Sequence, residues 1–327
     1  MKKNRMKVTP FFDTHMTYLY DRSSIPVRLS RIKEWDFYQF IKGDLVVQAT
    51  IGHASIFSSF DSCIYNLKTH EKIRSSHLEL LRRNNPIYEA NPEKDHELVV
   101  KRKDNYLSIK LENGFRRIIH KSKTFDLDLI IGNDYKQDKM VILTPFFESD
   151  KHFYLNYKEN YYTVEGRLKI TNSKINWDGE YNFDGATGLL DCGRGYFPYR
   201  HEWYWSSASF NLDDGSKLGW NLGWGFGNLI NTENIFFYNS KGYKLNIIES
   251  NIENGFIEKN LHLEDDKHIF SVDLVPIHNN ISKTKVLWID NYCDQIFFKA
   301  TGYVVVDDKK IEFKNMTCFL EHATNKW

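Results

Sequence analysis

The chain has 327 residues, enough for two domains of ordinary size or one large β-domain with a real core. Lys and Arg number 44 against 43 Asp and Glu, a net charge of +1. No excess of positive charge is available to hold a phosphate backbone, so nucleic acid is not an expected partner. Hydrophobic residues make up 41% and charged residues 27%, which excludes disorder, and the aromatic content of 15% suits pleated surfaces and favours β-structure.

Along the chain, Met1 to Thr9 is basic, but Asp13 and His15 interrupt the apolar pair Phe11-Phe12 at once. No secretory signal is therefore expected. No window approaches the length of an apolar span, so no integral membrane segment is expected and a cytoplasmic location is the default. His77 to Arg83 reads as a turn or two of helix. Tyr106–Leu111 and Tyr161–Ile170 alternate apolar and polar residues, the period of a half-buried strand. Asp126 and Asp128, two apart, read as a solvated strand face. Asn113-Gly114, Asp178-Gly179, Asp214-Gly215 and Asn254-Gly255 supply the positive φ of tight turns, and Asp307-Asp308 is a weaker signal of the same kind. Glu321 to Trp327 reads as a short terminal helix. The four cysteines, at 63, 192, 293 and 318, form no C-x-x-C pair, so neither a disulfide framework nor a metal site is expected. No βαβ unit appears. Many short antiparallel strands give an all-β chain, most economically two barrels. The expected domains are an N-terminal barrel over 1–185 and a C-terminal barrel over 186–327.

Residues 184 to 227 stand apart. They hold four of the eight Trp, nine glycines, and Asp191, Arg194, Arg200, His201 and Glu202. Strand period places His201, Trp203, Trp205 and Ser207 on one face and Arg200, Glu202, Tyr204 and Ser206 on the other. After the Asp214-Gly215 turn, Trp220 and Trp224 share a face and Asn221 lies opposite, flanked by Gly219 and Gly223. Small residues beside a polar amide leave room for a ligand. The alternative is plain core packing, with Arg200 and Glu202 as a surface ion pair and Asp191 capping a turn. His201-Glu202 lacks a second His at 205, which rules out the zinc-protease motif. Gly223-x-Gly225-x-Gly227 has no βα unit after it, so no nucleotide cofactor is implied. Glu321-His322 offers an acid beside a base, but neighbours on a strand point to opposite faces.

These residues resemble the bacterial family known as domain of unknown function 2804. The likeness runs from about residue 26 onward. It rests on Lys33-Glu34-Trp35-Asp36-Phe37-Tyr38, Asp191, Gly193-Arg194-Gly195-Tyr196-Phe197-Pro198-Tyr199-Arg200 and Trp203-x-Trp205. It continues through Leu218-Gly219-Trp220-Asn221-Leu222-Gly223, Thr232-Glu233-Asn234, Asp273-Leu274-x-Pro276, Thr301-Gly302, Glu321-His322-Ala323 and Trp327. Cys192 departs from the pattern, standing where an aromatic residue is expected, and the stretch from Gly223 to Asn228 is richer in Trp and Phe. Gly188-x-x-Asp191 with Trp203-x-Trp205 is also similar to the central motif of the tandem-lipocalin group of carotenoid hydratases, isoprenoid cyclases and lipid carriers. That similarity implies two packed lipocalin-like (calycin-like) barrels with a hydrophobic ligand site.

Two functions follow as expectations. A binding protein would hold a lipid or isoprenoid in a barrel or between barrels. Trp203, Trp205 and Trp224 would form the wall, and Arg200 and Asn221 would anchor a polar head. Trp35, Arg194 and Tyr199, which lie in the matching motifs, complete the expected ligand-contacting set. A hydratase, isomerase or cyclase would need a proton donor in an apolar cavity, with Asp191 the first candidate and Glu202 the second. An Asp191 free of Arg favours the enzyme; an Asp191 paired to Arg194 or Arg200 opposes it. Neither reading calls for a cofactor.

Overall fold

The computed structural model describes residues 9–25, 31–54, 57–80, 87–132, 136–147, 149–171, 174–227, 231–286 and 289–326. Among them there is one 3-10 turn, Arg22–Ser24, and no α-helix, so no helix is long and apolar enough to cross a membrane. The strands run β1 (Phe11–Asp13), β2 (Ile32–Lys42), β3 (Leu45–His53), β4 (Phe57–Asn66), β5 (Glu71–Leu80), β6 (His96–Arg102), β7 (Asn105–Glu112) and β8 (Phe115–Lys121). They continue with β9 (Phe125–Gly132), β10 (Met140–Phe146), β11 (Ser149–Ile170), β12 (Gly179–Asn182), β13 (Ala186–Tyr196), β14 (Arg200–Asn211) and β15 (Lys217–Trp224). The last are β16 (Ile235–Tyr238), β17 (Lys241–Lys244), β18 (Ile248–Ser250), β19 (Leu261–Asp265), β20 (Phe270–Val286), β21 (Ile289–Val306) and β22 (Lys309–Lys326).

The expected alternation is visible in β9, where Phe125, Leu127, Leu129 and Ile131 are buried while Asp126, Ile130 and Gly132 are exposed. The turn signals act through backbone sign: Asn113 and Gly114 have φ of 51° and 79°, and Asp307 and Asp308 have 49° and 60°. Two successive positive φ values match the twist of the flanking strands. Asp128 makes a two-pronged ion pair with Arg117 at 2.8 and 2.7 Å on an exposed strand face.

Both helical expectations fail where they can be read. His77 to Leu80 belongs to β5, and residues 81–83 lie outside the described residues. Glu321 to Lys326 ends β22, with Trp327 outside the described residues; it pairs with β14 on one side (Glu321 opposite Trp205) and β21 on the other (Glu321 opposite Gln295). A ladder on both sides satisfies every backbone group, which outweighs a weak local preference for helix.

The described chain divides into two compact units. The first holds 15–137 and 156–195; the second holds 9–14, 138–155 and 196–326. The sheet of the first unit runs β5-β4-β3-β2-β13-β11-β9-β8-β7-β6. It curls until its edges meet: Arg102 of β6 pairs with Glu79 of β5, and Ser75 Oγ donates to Asn105 Oδ1 at 2.8 Å. The sheet of the second unit runs β17-β16-β15-β14-β22-β21-β20-β19-β18. Its interior is packed and apolar. Fully buried Trp220 meets Phe210 and Phe270 edge-on at 5.6 and 5.5 Å, among Phe236, Phe298 and Phe313. On the other face of β16, Ile235 and Phe237 pack against Met140 and Ile142 of β10 and Phe12 of β1. Both units are all-β, curled and antiparallel.

Candidate functional site

In the first unit β13 lies between β2 and β11, so its side chains meet residues from both. Asp191 is 5% exposed. Its Oδ2 accepts from the indole Nε1 of Trp35 at 3.1 Å and its Oδ1 from the amide Nδ2 of Asn156 at 2.6 Å. Among the described residues no cation pairs with it. Gly193, on the same face of β13, lets the indole lie flat, because a Cβ there would land on the Trp35 ring. Lys33 shares that face of β2 by alternation and is buried; burial first, and Arg31 second, push its amine down to about 6.

The opposite face of β2 and β13 carries a second, charged cluster. Arg194 Nη2 closes on Asp36 Oδ1 at 2.6 Å, and the Cys192 thiol donates to the same oxygen at 3.2 Å. Burial pushes that thiol up, so it keeps its proton and acts as donor. The Arg194 guanidinium lies 4.1 Å over the ring of Tyr88, whose hydroxyl donates to Ile51 O at 2.9 Å. Beside them Glu34 accepts from Tyr20 at 2.7 Å and pairs with Arg22. Further along, Arg116 donates to Tyr38 at 3.0 Å and to Pro92 O at 3.1 Å. Burial raises the phenols of Tyr20, Tyr38 and Tyr88, which keeps them protonated. The interior of the first unit is thus partly polar.

In the second unit β22 lies between β14 and β21. Trp203 Nε1 donates to Glu321 Oε1 at 2.8 Å, and Gln295 Nε2 donates to Glu321 Oε2 at 3.1 Å. Trp205 meets Phe319 edge-on at 4.8 Å and donates to Asn221 Oδ1 at 2.7 Å. Asn221 also donates to Glu233 O at 3.0 Å, and a Cβ at Gly223 would strike the Glu233 carboxylate. The space expected beside the Asn221 amide is therefore filled by Glu233. On the other face Glu202 Oε1 holds His322 Nε2 at 2.8 Å. Tyr204 stands between His322 and Trp224, with ring centroids at 4.4 and 5.4 Å and nearly parallel planes. Burial, then Glu202, raises the Tyr204 phenol.

Of the residues singled out in the sequence, Asp191 and Trp35 come together, and Arg194 points to the opposite face, toward Asp36. Trp203, Trp205 and Asn221 share a face of β14 and β15. Glu202 and Trp224 share the other with Arg200, because Trp224 sits directly opposite Tyr204. Arg200 and Tyr199 are exposed. Glu202 takes His322 as its partner, and Asp191 sits mid-strand rather than in a turn. Asn156, Tyr88 and Gln295 carried no local signal, since each acquires its role only when distant strands pair, and Asp36 stood in a matched motif without an expected role. Among the described residues no group of His, Cys, Asp and Glu is arranged to hold a metal ion.

The two curled antiparallel sheets define a lipocalin-like all-β protein. The chain belongs to the family called domain of unknown function 2804, whose model matches residues 12–327. No curated protein matches its sequence. Solved structures share the fold at low identity. A candidate AttH from Nitrosomonas europaea superposes with a TM-score of 0.52 at 12% identity, covering 89% of this chain and 92% of its own. Kievitone hydratase from Nectria haematococca gives 0.50 at 11%, covering 98% of both chains.

Proposed function

We propose that this protein binds an unsaturated, amphipathic small molecule and transfers a proton to or from it through Asp191, as a cofactor-independent hydratase or isomerase. One observation carries the reading. Asp191 is buried and held by two neutral donors, Trp35 and Asn156, while the nearby Arg194 is engaged by Asp36. A carboxyl held by neutral donors can give and regain a proton without breaking an ion pair. In the water-addition form, Asp191 donates its proton to one alkene carbon. Water adds to the other carbon, and the proton that water loses restores the carboxyl. The indole and the amide each take one oxygen and so fix the orientation of the carboxyl plane. One fold neighbour is named a hydratase, which makes water addition the first form to test.

The test incubates the purified protein with isoprenoid alcohols and prenylated phenols in oxygen-18 and heavy water. Mass spectrometry then follows the gain of one water or of carbon-bound deuterium. Turnover by the native protein, lowered ~10²–10⁴-fold in Asp191→Asn, is the expected result. A compound retained but unchanged would make the protein a carrier. Full activity in Asp191→Asn would remove Asp191 from the role.

A further inference from the structure

The carboxylate device of the first unit is built a second time, in the second unit, around Glu321. In the first unit the acid Asp191 lies on β13, between β2, which supplies an indole N–H, and β11, which supplies a carboxamide N–H. In the second, the acid Glu321 lies on β22, between β14, which supplies the indole N–H of Trp203, and β21, which supplies the carboxamide N–H of Gln295. Both carboxylates take the indole on one oxygen and the amide on the other.

The match extends to the neighbours. Each Trp follows a Glu, in Glu34-Trp35 and Glu202-Trp203, and this dipeptide occurs nowhere else in the chain. The residue after each Trp contacts the residue after each acid on the opposite face. In the first unit the pair is Asp36 and Cys192, at 3.2 Å; in the second it is Tyr204 and His322, stacked at 4.4 Å. Gly193 and Ala323 follow in turn, both small and both buried. One shared contact is easily accidental. A shared strand order, a shared donor pair and a shared contact one residue on are not independent accidents.

We infer that Glu321 is a second proton-transfer carboxyl, held by Trp203 and Gln295 as Asp191 is held by Trp35 and Asn156. The inference rests on the proton-transfer reading of Asp191. Its chemistry is the same: the protonated carboxyl gives its proton to an alkene carbon and the carboxylate accepts one from water or from an adjoining carbon. The substrate class is the same unsaturated small molecule. Glu321 is one methylene longer than Asp191, so its proton sits further from its own strand.

The experiment compares native protein, Glu321→Gln and Asp191→Asn in heavy water with farnesol as probe, reading carbon-bound deuterium. Trp203→Phe is added as a milder change that keeps the carboxylate. Indole N–H signals from ¹⁵N-tryptophan report the fold of each variant. The expected result is a loss of at least ~10-fold in Glu321→Gln and a smaller loss in Trp203→Phe, with farnesol still bound. In Glu321→Gln the Trp203 indole signal should move while that of Trp35 stays. Native-level deuterium in Glu321→Gln would overturn the inference and leave the Asp191 reading intact. Loss in Glu321→Gln with full incorporation in Asp191→Asn would overturn the Asp191 reading and leave Glu321 as the proton-transfer group. No deuterium in the native protein would overturn both.

Discussion

Arg194 closes on Asp36 at 2.6 Å, and both side chains are almost wholly buried. Removing one member leaves the other charge without its counter-ion in a low-dielectric site. Arg194→Met is expected to lose about 3–5 kcal/mol of stability in urea unfolding. The double variant Arg194→Met with Asp36→Leu is expected to recover most of that loss. A single variant as stable as the native protein would mean that water or another cation reaches Asp36.

Acid should weaken the first unit through His120. Its Nδ1 meets Ser62 Oγ at 2.6 Å and its Nε2 meets Asn105 Oδ1 at 2.7 Å, which suits a neutral ring that accepts at one nitrogen and donates at the other. Burial pushes this imidazole down to about 4 from an ordinary value of 6.5. Between those values the unfolded chain binds the proton and the folded chain does not, so stability falls as pH falls through that window. The loss amounts to ~3 kcal/mol once pH is below 4, at about 1.4 kcal/mol per pH unit. His120→Gln should flatten the difference between urea midpoints measured above and below the window. An unchanged slope would place the acid sensitivity elsewhere.

Gly193→Ala tests the close approach behind Asp191. The added methyl would land on the Trp35 ring and must push it aside. A loss of about 1–3 kcal/mol is expected, together with a shift of the Trp35 indole N–H signal as its bond to Asp191 lengthens. A native-like signal would show that β2 shifts to make room.

Trp220→Ala tests the packed interior of the second unit. Trp220 is fully buried between Phe210, Phe270 and Phe313. The cavity left should cost about 3–5 kcal/mol. The same substitution at Trp224, which is only partly buried beside Tyr204, should cost much less.

The sequence disclosed the class of fold because alternation and positive-φ turns are local properties. The same logic placed the Trp-rich hairpin and split Trp203 from Glu202 across one strand, whereas Asp191 was singled out by the crowding of charged, aromatic and glycine residues around it. It did not disclose that Arg194 would face Asp36 and leave Asp191 to Asn156, since that choice depends on which strands flank β13. The terminal helix read into Glu321–Trp327 failed for a related reason: its composition tolerates helix, and only partners on both sides make Glu321–Lys326 a strand. The repeated carboxylate device was nearly invisible, because its only shared letters are Glu-Trp, and Asp191 is matched by Glu321 and Asn156 by Gln295. Chemistry was kept while letters changed.

The placement of β13 and β22 bears on how this protein is made. In each unit the strand that fills the place beside the Trp strand is the last of that unit to be synthesised. Trp35 leaves the ribosome 156 residues before Asp191, and Trp203 leaves it 118 residues before Glu321. At ~5–20 residues per second the first of these gaps lasts roughly ten to thirty seconds. During it the β2 edge, with Tyr38 and Phe40, has no neighbour on that side and is open to pairing with other nascent chains. Yield on overexpression should therefore depend on chaperone supply and on translation speed through residues 43–185.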